Sequence, residues 1–199
     1  MNKLKPDDSY YMSKAVEEVE NALLACPEAI PIGAVLVIDG KVRSVGTNQR
    51  VQQSSIILHG ETACLDNAGT GVTIEEFSRS TLYTTLSPCL MCAGTILRFN
   101  IPRVVIAENV NFEESELFLA LKGVQVDVLN DEGCIVRMRQ FIESYPEVWW
   151  GDITNDLRDG DKKRRTNGDR STLPLTPDEA YKVCLALGFS KPERFPLPR

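Results

Sequence analysis

The sequence predicts a three-layer α/β/α sandwich built on a five-stranded mixed sheet. Three observations predict it. Short β-branched apolar runs alternate with segments of helical periodicity along most of the chain. An Asp39-Gly40 pair between two such runs reads as a tight hairpin, which makes the sheet mixed. The later strand runs are separated by helix-length segments, as parallel right-handed connections require. A chain of 199 residues that is 43% apolar can bury a core of this kind in one domain.

The elements follow in order. Met12, Ala15, Val16, Val19, Ala22 and Leu23 recur at helical spacing and predict an amphipathic helix ending near Cys26-Pro27. Pro31-Ile32-Gly33 leads into a strand at 34–38, the Asp39-Gly40 turn and a second strand at 41–47. The polar stretch 48–58 reads as a loop, and a helix over 59–67 is closed by Gly69. A strand at 81–85, a helix at 88–99, a strand at 103–107, a helix at 114–122, a strand at 124–129 and a helix at 132–145 complete the pattern. Beyond them, 155–170 is charged and glycine-containing and reads as a linker with Lys162-Lys163-Arg164-Arg165 at its centre. Thr176 as N-cap and Gly188 as stop bracket a short helix over 177–187. The chain therefore divides into a domain at 1–154 and an extension at 155–199.

The chemistry is concentrated in two strings. The single histidine, His59, stands in His59-Gly60-Glu61, and thirty residues after it Cys89 opens Cys89-Leu90-Met91-Cys92, preceded by Pro88. Catalytic zinc takes three protein ligands of nitrogen and sulfur and leaves the fourth position to water. His59, Cys89 and Cys92 are the predicted ligands. Cysteines three apart lie on one face of a helix, and Ser87-Pro88 reads as an N-cap followed by proline at the first helical position. Both thiols then sit near a helix N-terminus, which favours thiolate. Glu61 is predicted to carry protons and not to bind the metal. A Cys-x-x-Cys pair by itself also fits a redox dithiol, half of a structural zinc site, or two buried thiols. No pair spacing among Cys26, Cys64, Cys134 and Cys184 completes a four-ligand site, and a redox pair has no need of His59-Gly60-Glu61.

H-x-E followed by P-C-x-x-C is the pattern of the zinc-dependent nucleobase deaminases. Further blocks resemble the fungal (yeast-type) cytosine deaminases of the cytidine/deoxycytidylate deaminase superfamily. They are Pro31-Ile32-Gly33, Gly46-Thr47-Asn48, Leu82-Tyr83-Thr84-Thr85-Leu86-Ser87, Ile101-Pro102-Arg103, Glu108-Asn109-Val110-Asn111-Phe112 and Trp149-x-x-Asp152-Ile153. The resemblance covers residues 10–153 and implies a cytidine deaminase-like fold, one zinc per subunit and a homodimer. It also implies hydrolysis of free cytosine to uracil and ammonia in pyrimidine salvage, and of 5-fluorocytosine to 5-fluorouracil. Water activated at the zinc would attack C4, with Glu61 as proton shuttle. Asn48 and the Gly60 N–H match positions that hydrogen-bond the pyrimidine, and Asp152 matches one that reads the amine side. Phe112 and Trp149 match an aromatic lid; Ile32 and Leu86 match pocket wall; Ser87 is read as an N-cap first and a pocket element second. Without the resemblance, Asn48 is a turn asparagine, Phe112 and Trp149 are core, and Asp152 is a surface acid. The chain departs from that family in running 47 residues past Asp152.

Charge and composition narrow the partners. A net charge of −6 argues against a broad nucleic-acid face and for a small-molecule base. No run of eighteen apolar residues is present and the first residues lack a signal-peptide core, so no membrane association is expected. Cysteine usage suits a reducing cytoplasm, and Lys162–Arg165 leaves a nuclear location open, although a solvated linker is the favoured reading. Three rivals stand beside a cytosine deaminase. A tRNA adenosine deaminase shares the motifs but normally has alanine between histidine and glutamate, and a basic surface. A guanine or other nucleobase deaminase differs only in pocket walls. A non-catalytic zinc-stabilised accessory subunit would lack Glu61.

Overall fold

A computed structural model describes residues 4–154, so the linker, helix and basic run read in 155–199 lie outside the described residues. Within it, α1 (Asp8–Ala25) precedes the hairpin β1 (Gly33–Ile38) and β2 (Lys41–Thr47). Then come α2 (Gly60–Ala68), α3 (Ile74–Phe77), β3 (Ser80–Thr84), α4 (Leu90–Arg98), β4 (Arg103–Ile106), α5 (Glu116–Leu121), β5 (Gln125–Val128), α6 (Glu132–Ser144) and α7 (Pro146–Thr154). The strands form one sheet in the order β2-β1-β3-β4-β5. Strand β1 runs antiparallel to β2 and β3, whereas β3, β4 and β5 are parallel. The predicted mixed α/β/α sandwich is what forms.

Alternation along the strands makes the three layers. Ala34, Leu36, Ile38, Leu82, Val104 and Ile106 point to one face, where they pack with Cys64, Leu65 and Ala68 of α2 and Ala93 and Ile96 of α4. Val35, Val37, Tyr83 and Val105 point to the other face and meet Met12 and Ala15 of α1 and Cys134 of α6. Asp39 and Gly40 both have positive φ, 49° and 75°, which is the backbone a two-residue hairpin needs. At Gly46 the strand β2 presses on α2: a Cβ there would lie 2.2 Å from the Cys64 backbone nitrogen.

One charged cluster ties the layers. Arg103 is 4% exposed and donates to both carboxylate oxygens of Asp8 at 2.8 Å and to Asp127 Oδ2 at 2.8 Å. The Tyr83 hydroxyl also donates to Asp8, at 2.9 Å. The start of α1 is thereby fastened to β3 and β4.

Two helices were not foreseen and one start is corrected. Helix α3 opens on a capping box in which Thr73 and Glu76 bond each other reciprocally. Helix α7 begins at Pro146, separated by one residue from the end of α6. Helix α4 does not begin at Ser87-Pro88; Cys89 is its N-cap. The Pro88 carbonyl accepts from the Ser115 hydroxyl, and the first helical bond runs from the Ala93 N–H to the Cys89 carbonyl at 2.8 Å.

Candidate active site

The carboxyl ends of β2, β3 and β4 and the start of β1 meet at one edge of the sheet, because β1 alone runs the other way. Open α/β sheets place ligands at such edges. Here the edge is completed by the starts of α2 and α4. His59 caps α2 with φ −73° and ψ 171°, and Cys89 caps α4 with φ −72° and ψ 170°. The two predicted ligands therefore occupy the same position on two helices, each extended backbone turning its side chain toward the shared edge.

His59 Nδ1 lies 3.5 Å from Cys89 Sγ, and the two sulfurs of Cys89 and Cys92 are 3.6 Å apart. All three ligand atoms lie within 4.8 Å of one another. The crowding sets their protonation. Cys89 falls to about 4, chiefly because the Cys92 thiol donates to it and also because His59 faces it. Cys92 moves well up as the donor of that pair, in a buried place. Burial disfavours a charged His59, but Cys89 and the Asp152 carboxylate outweigh that and hold it up at about 9. A thiolate, an imidazole and a second thiol converging within this span make the donor set of a tetrahedral zinc site with one position left for water. The residues present fit the metal.

Glu61, in the first turn of α2, is 3% exposed and accepts from the Thr84 hydroxyl at 3.1 Å. Burial raises its pKa, and the Cys89 thiolate adds to the rise. A buried carboxyl beside the metal ligands is suited to receiving and returning a proton.

The other nitrogen of His59 is also taken: Nε2 lies 3.4 Å from Asp152 Oδ1. Asp152 stands in α7 with a side chain 2% exposed, and its Oδ2 accepts from Asn48 Nδ2 at 3.0 Å. Burial raises the Asp152 pKa, against the opposing pull of His59, Arg50 and Asn48. Such an outer carboxylate fixes the tautomer and orientation of a metal-binding histidine.

The pocket beside these groups is a cavity of about 200 Å³. Ile32 and Leu86 form its wall and Phe112 and Trp149 its roof, their rings edge to face with centroids 5.9 Å apart. Phe112 is presented by a loop folded on buried Glu108, whose carboxylate accepts from the N–H groups of Val110 and Asn111 and the Asn111 amide. Trp149 is 3% exposed, packed with Ile30, Ile32, Leu86, Met138 and Phe141.

Of the residues singled out in the sequence, His59, Glu61, Cys89, Ile32, Leu86, Ser87, Phe112, Trp149 and Asp152 line this cavity. Cys92, the third member of the metal trio, is buried and does not line it. Asn48 and Gly60 are not on its surface: Asn48 is fully buried beneath Asp152, and Gly60 packs so closely on Ile32 that a Cβ would stand 3.1 Å from the Ile32 carbonyl oxygen. Ser87 is not the N-cap; its Oγ is buried without a hydrogen-bond partner. Sequence reasoning missed Ile56, Leu90, Met91, Glu114 and Ile153 on the cavity wall. Of these, Ile153 follows Asp152 in a quoted block, and Leu90 and Met91 stand between the two cysteines of the metal string.

The protein family described as the cytidine and deoxycytidylate deaminase zinc-binding region matches residues 5–108. A cytosine deaminase of Candida albicans is 46% identical over 125 residues, covering 62% of this chain and 83% of that protein. A tRNA-specific adenosine deaminase of Streptococcus pyogenes is 34% identical over 107 residues, covering 53% of this chain and 66% of that one. Among solved structures, a guanine deaminase from Nitrosomonas europaea superposes with a TM-score of 0.55 at 19% identity, over 70% of this chain and 86% of that one. At that identity the superposition speaks for the fold alone.

Proposed function

We propose that this chain, which belongs to the cytidine and deoxycytidylate deaminase family, hydrolyses free cytosine to uracil and ammonia. That it is a zinc-dependent hydrolytic deaminase follows from the family and from the His59, Cys89 and Cys92 cluster. The observation that carries the finer reading is the small cavity itself: at about 200 Å³ it falls below the roughly 300–1,000 Å³ of sites for drug-sized ligands. Its roof, Phe112 and Trp149, and its wall, Ile32 and Leu86, are apolar, as the faces of a flat ring require. The likeness to the Candida albicans cytosine deaminase reaches well past the metal motif and supports the same substrate. The net charge of −6 weighs against a tRNA substrate.

Zinc held by His59, Cys89 and Cys92 would supply Lewis acidity that makes water a nucleophile near neutral pH. Glu61 would carry one proton of the attacking water to the ring nitrogen and then the second proton of that water to the amine, which leaves as ammonia. Thr84, donating to Glu61 Oε1, keeps the carboxyl aimed at the cavity. Asn48, buried beneath Asp152, donates an amide hydrogen to that carboxylate and steadies the group that faces the amine. Gly60 is the first residue of α2 and packs on the wall residue Ile32, which sets where Glu61 stands beside the cavity. Asp152 accepts from the amine side. Phe112 and Trp149 exclude bulk water, which strengthens every charge interaction beneath them.

A homodimer fits the surface. Leu90, Met91 and Ile56 line the cavity yet stay 55%, 37% and 57% exposed, an apolar rim that a second copy would cover. The test of the substrate is a panel of cytosine, 5-fluorocytosine, cytidine, adenine and guanine, with ammonia as the readout. Release from the first two only is expected; release from guanine or adenine in preference to cytosine would overturn the reading.

A further inference from the structure

Arg50 has no part in the roles above. It lies two residues past Asn48 in the loop after β2, and its backbone N–H donates to Asn48 Oδ1 at 2.9 Å. That bond closes a tight asparagine turn, from which both side chains reach the same carboxylate. Asn48 binds Asp152 Oδ2, while Arg50 Nη1 stands 3.8 Å from Oδ1. Both Nη1 and Oδ1 are buried and neither makes a hydrogen bond, so they meet as a pair of opposed charges. The guanidinium lies against Gly151, where a Cβ would stand 3.0 Å from Nη2 and 3.6 Å from Cζ.

Two consequences follow from this placement. Arg50 and His59 flank the same Asp152 oxygen, and a buried carboxylate that loses part of its counter-charge is disfavoured, so Arg50 helps to hold Asp152 in place. Asp152 and the roof residue Trp149 belong to the same short helix, α7. A grip on the carboxylate is therefore a grip on the roof.

We propose that Arg50 is a positioning residue: its guanidinium, seated on Gly151, holds the Asp152 carboxylate and with it α7 closed over the cavity. It governs how tightly the base is held and leaves the chemical step alone. The kinetic part of this inference rests on the proposed cytosine substrate.

The test compares the full chain with Arg50→Ala, Arg50→Lys, Gly151→Ala and the Arg50→Ala/Gly151→Ala double variant. Zinc content should match the parent throughout. Arg50→Ala should raise KM for cytosine about tenfold with kcat little changed, and Arg50→Lys should recover part of the loss. Both tryptophans of the chain, Trp149 and Trp150, lie in α7, so intrinsic emission reports on that helix alone. Arg50→Ala should shift that emission to the red and speed amide exchange at 146–154. Gly151→Ala should raise KM when Arg50 is present and add nothing when it is absent. Unchanged KM and emission in Arg50→Ala would overturn the proposal; so would a fall in kcat alone, a loss of zinc, or additive effects of the two substitutions. Emission and exchange are read without substrate. Failure of cytosine deamination in the parent would thus sink the substrate reading and leave these two measurements to judge Arg50.

Discussion

His59 Nε2 lies 3.4 Å from Asp152 Oδ1 while His59 Nδ1 faces Cys89 Sγ at 3.5 Å. The imidazole is thus shared between the metal cluster and a carboxylate that comes from the far end of the domain. Asp152→Asn keeps the size of the side chain and removes its charge. Zinc affinity should fall about 10- to 100-fold, the usual effect of losing such an outer partner. Competition with a fluorescent chelator measures it, and an unchanged affinity would remove Asp152 from the support of His59.

Glu61→Gln should keep the fold and the stoichiometric zinc while kcat drops by about 10²- to 10⁴-fold. Metal analysis alongside steady-state rates separates the two effects. Near-full activity would show that another group carries the proton. His59→Ala is the harsher companion: with no other histidine in the chain to take its place, zinc and activity should vanish together.

The Asp8–Arg103 cluster predicts a pH dependence of stability. Burial alone would raise the Asp8 pKa, but the Arg103 guanidinium, the Lys5 N–H and the Tyr83 hydroxyl together hold it below its ordinary 3.8. A carboxyl depressed by folding adds stability above its unfolded pKa and loses it as pH falls through the folded one. Urea midpoints should therefore be level near neutrality and fall on the acid side of about pH 4, more steeply in the parent than in Asp8→Asn. Asp8→Ala at pH 7 should cost about 3–5 kcal/mol, because Arg103 stays buried short of one partner.

Gly46→Ala tests the close approach of β2 to α2. The added methyl would meet the Cys64 nitrogen at 2.2 Å, and backbone cannot step aside as a flexible side chain does. A loss of about 1–3 kcal/mol or more is expected, measured by thermal or urea unfolding. A neutral result would mean that the strand shifts as a unit.

Much of the fold was legible because local signals agreed with one another. Asp39-Gly40 marked the hairpin, alternating strands marked the layers, and the ligand strings stood next to strand ends. Thr73-x-x-Glu76 is a readable capping box for α3. Helix α7 hid because two adjacent tryptophans, a glycine and a preceding proline blur any helical period. Ser87-Pro88 misled because its capping pattern is sound in isolation, whereas the Ser115 hydroxyl takes the Pro88 carbonyl from across the fold. In the site, composition and spacing pointed to metal and proton chemistry. They could not reveal Arg50 on Asp152, or Asn48 buried beneath it, since Asn48 and Asp152 lie 104 residues apart.

The bond between Arg103 and Asp8 spans 95 residues and has a consequence for synthesis. Helix α1 leaves the ribosome first, yet its anchor on β4 and the Asp127 that completes the cluster emerge much later. At the usual elongation rates the wait is roughly 6–24 s, set by chain growth. For that interval the apolar stripe of Met12, Ala15 and Val19 has the β1-β2 hairpin beside it but not the charged anchor on β4 and β5. Helix α1 is therefore made early but pinned late, when β4 and β5 bring Arg103 and Asp127 to Asp8.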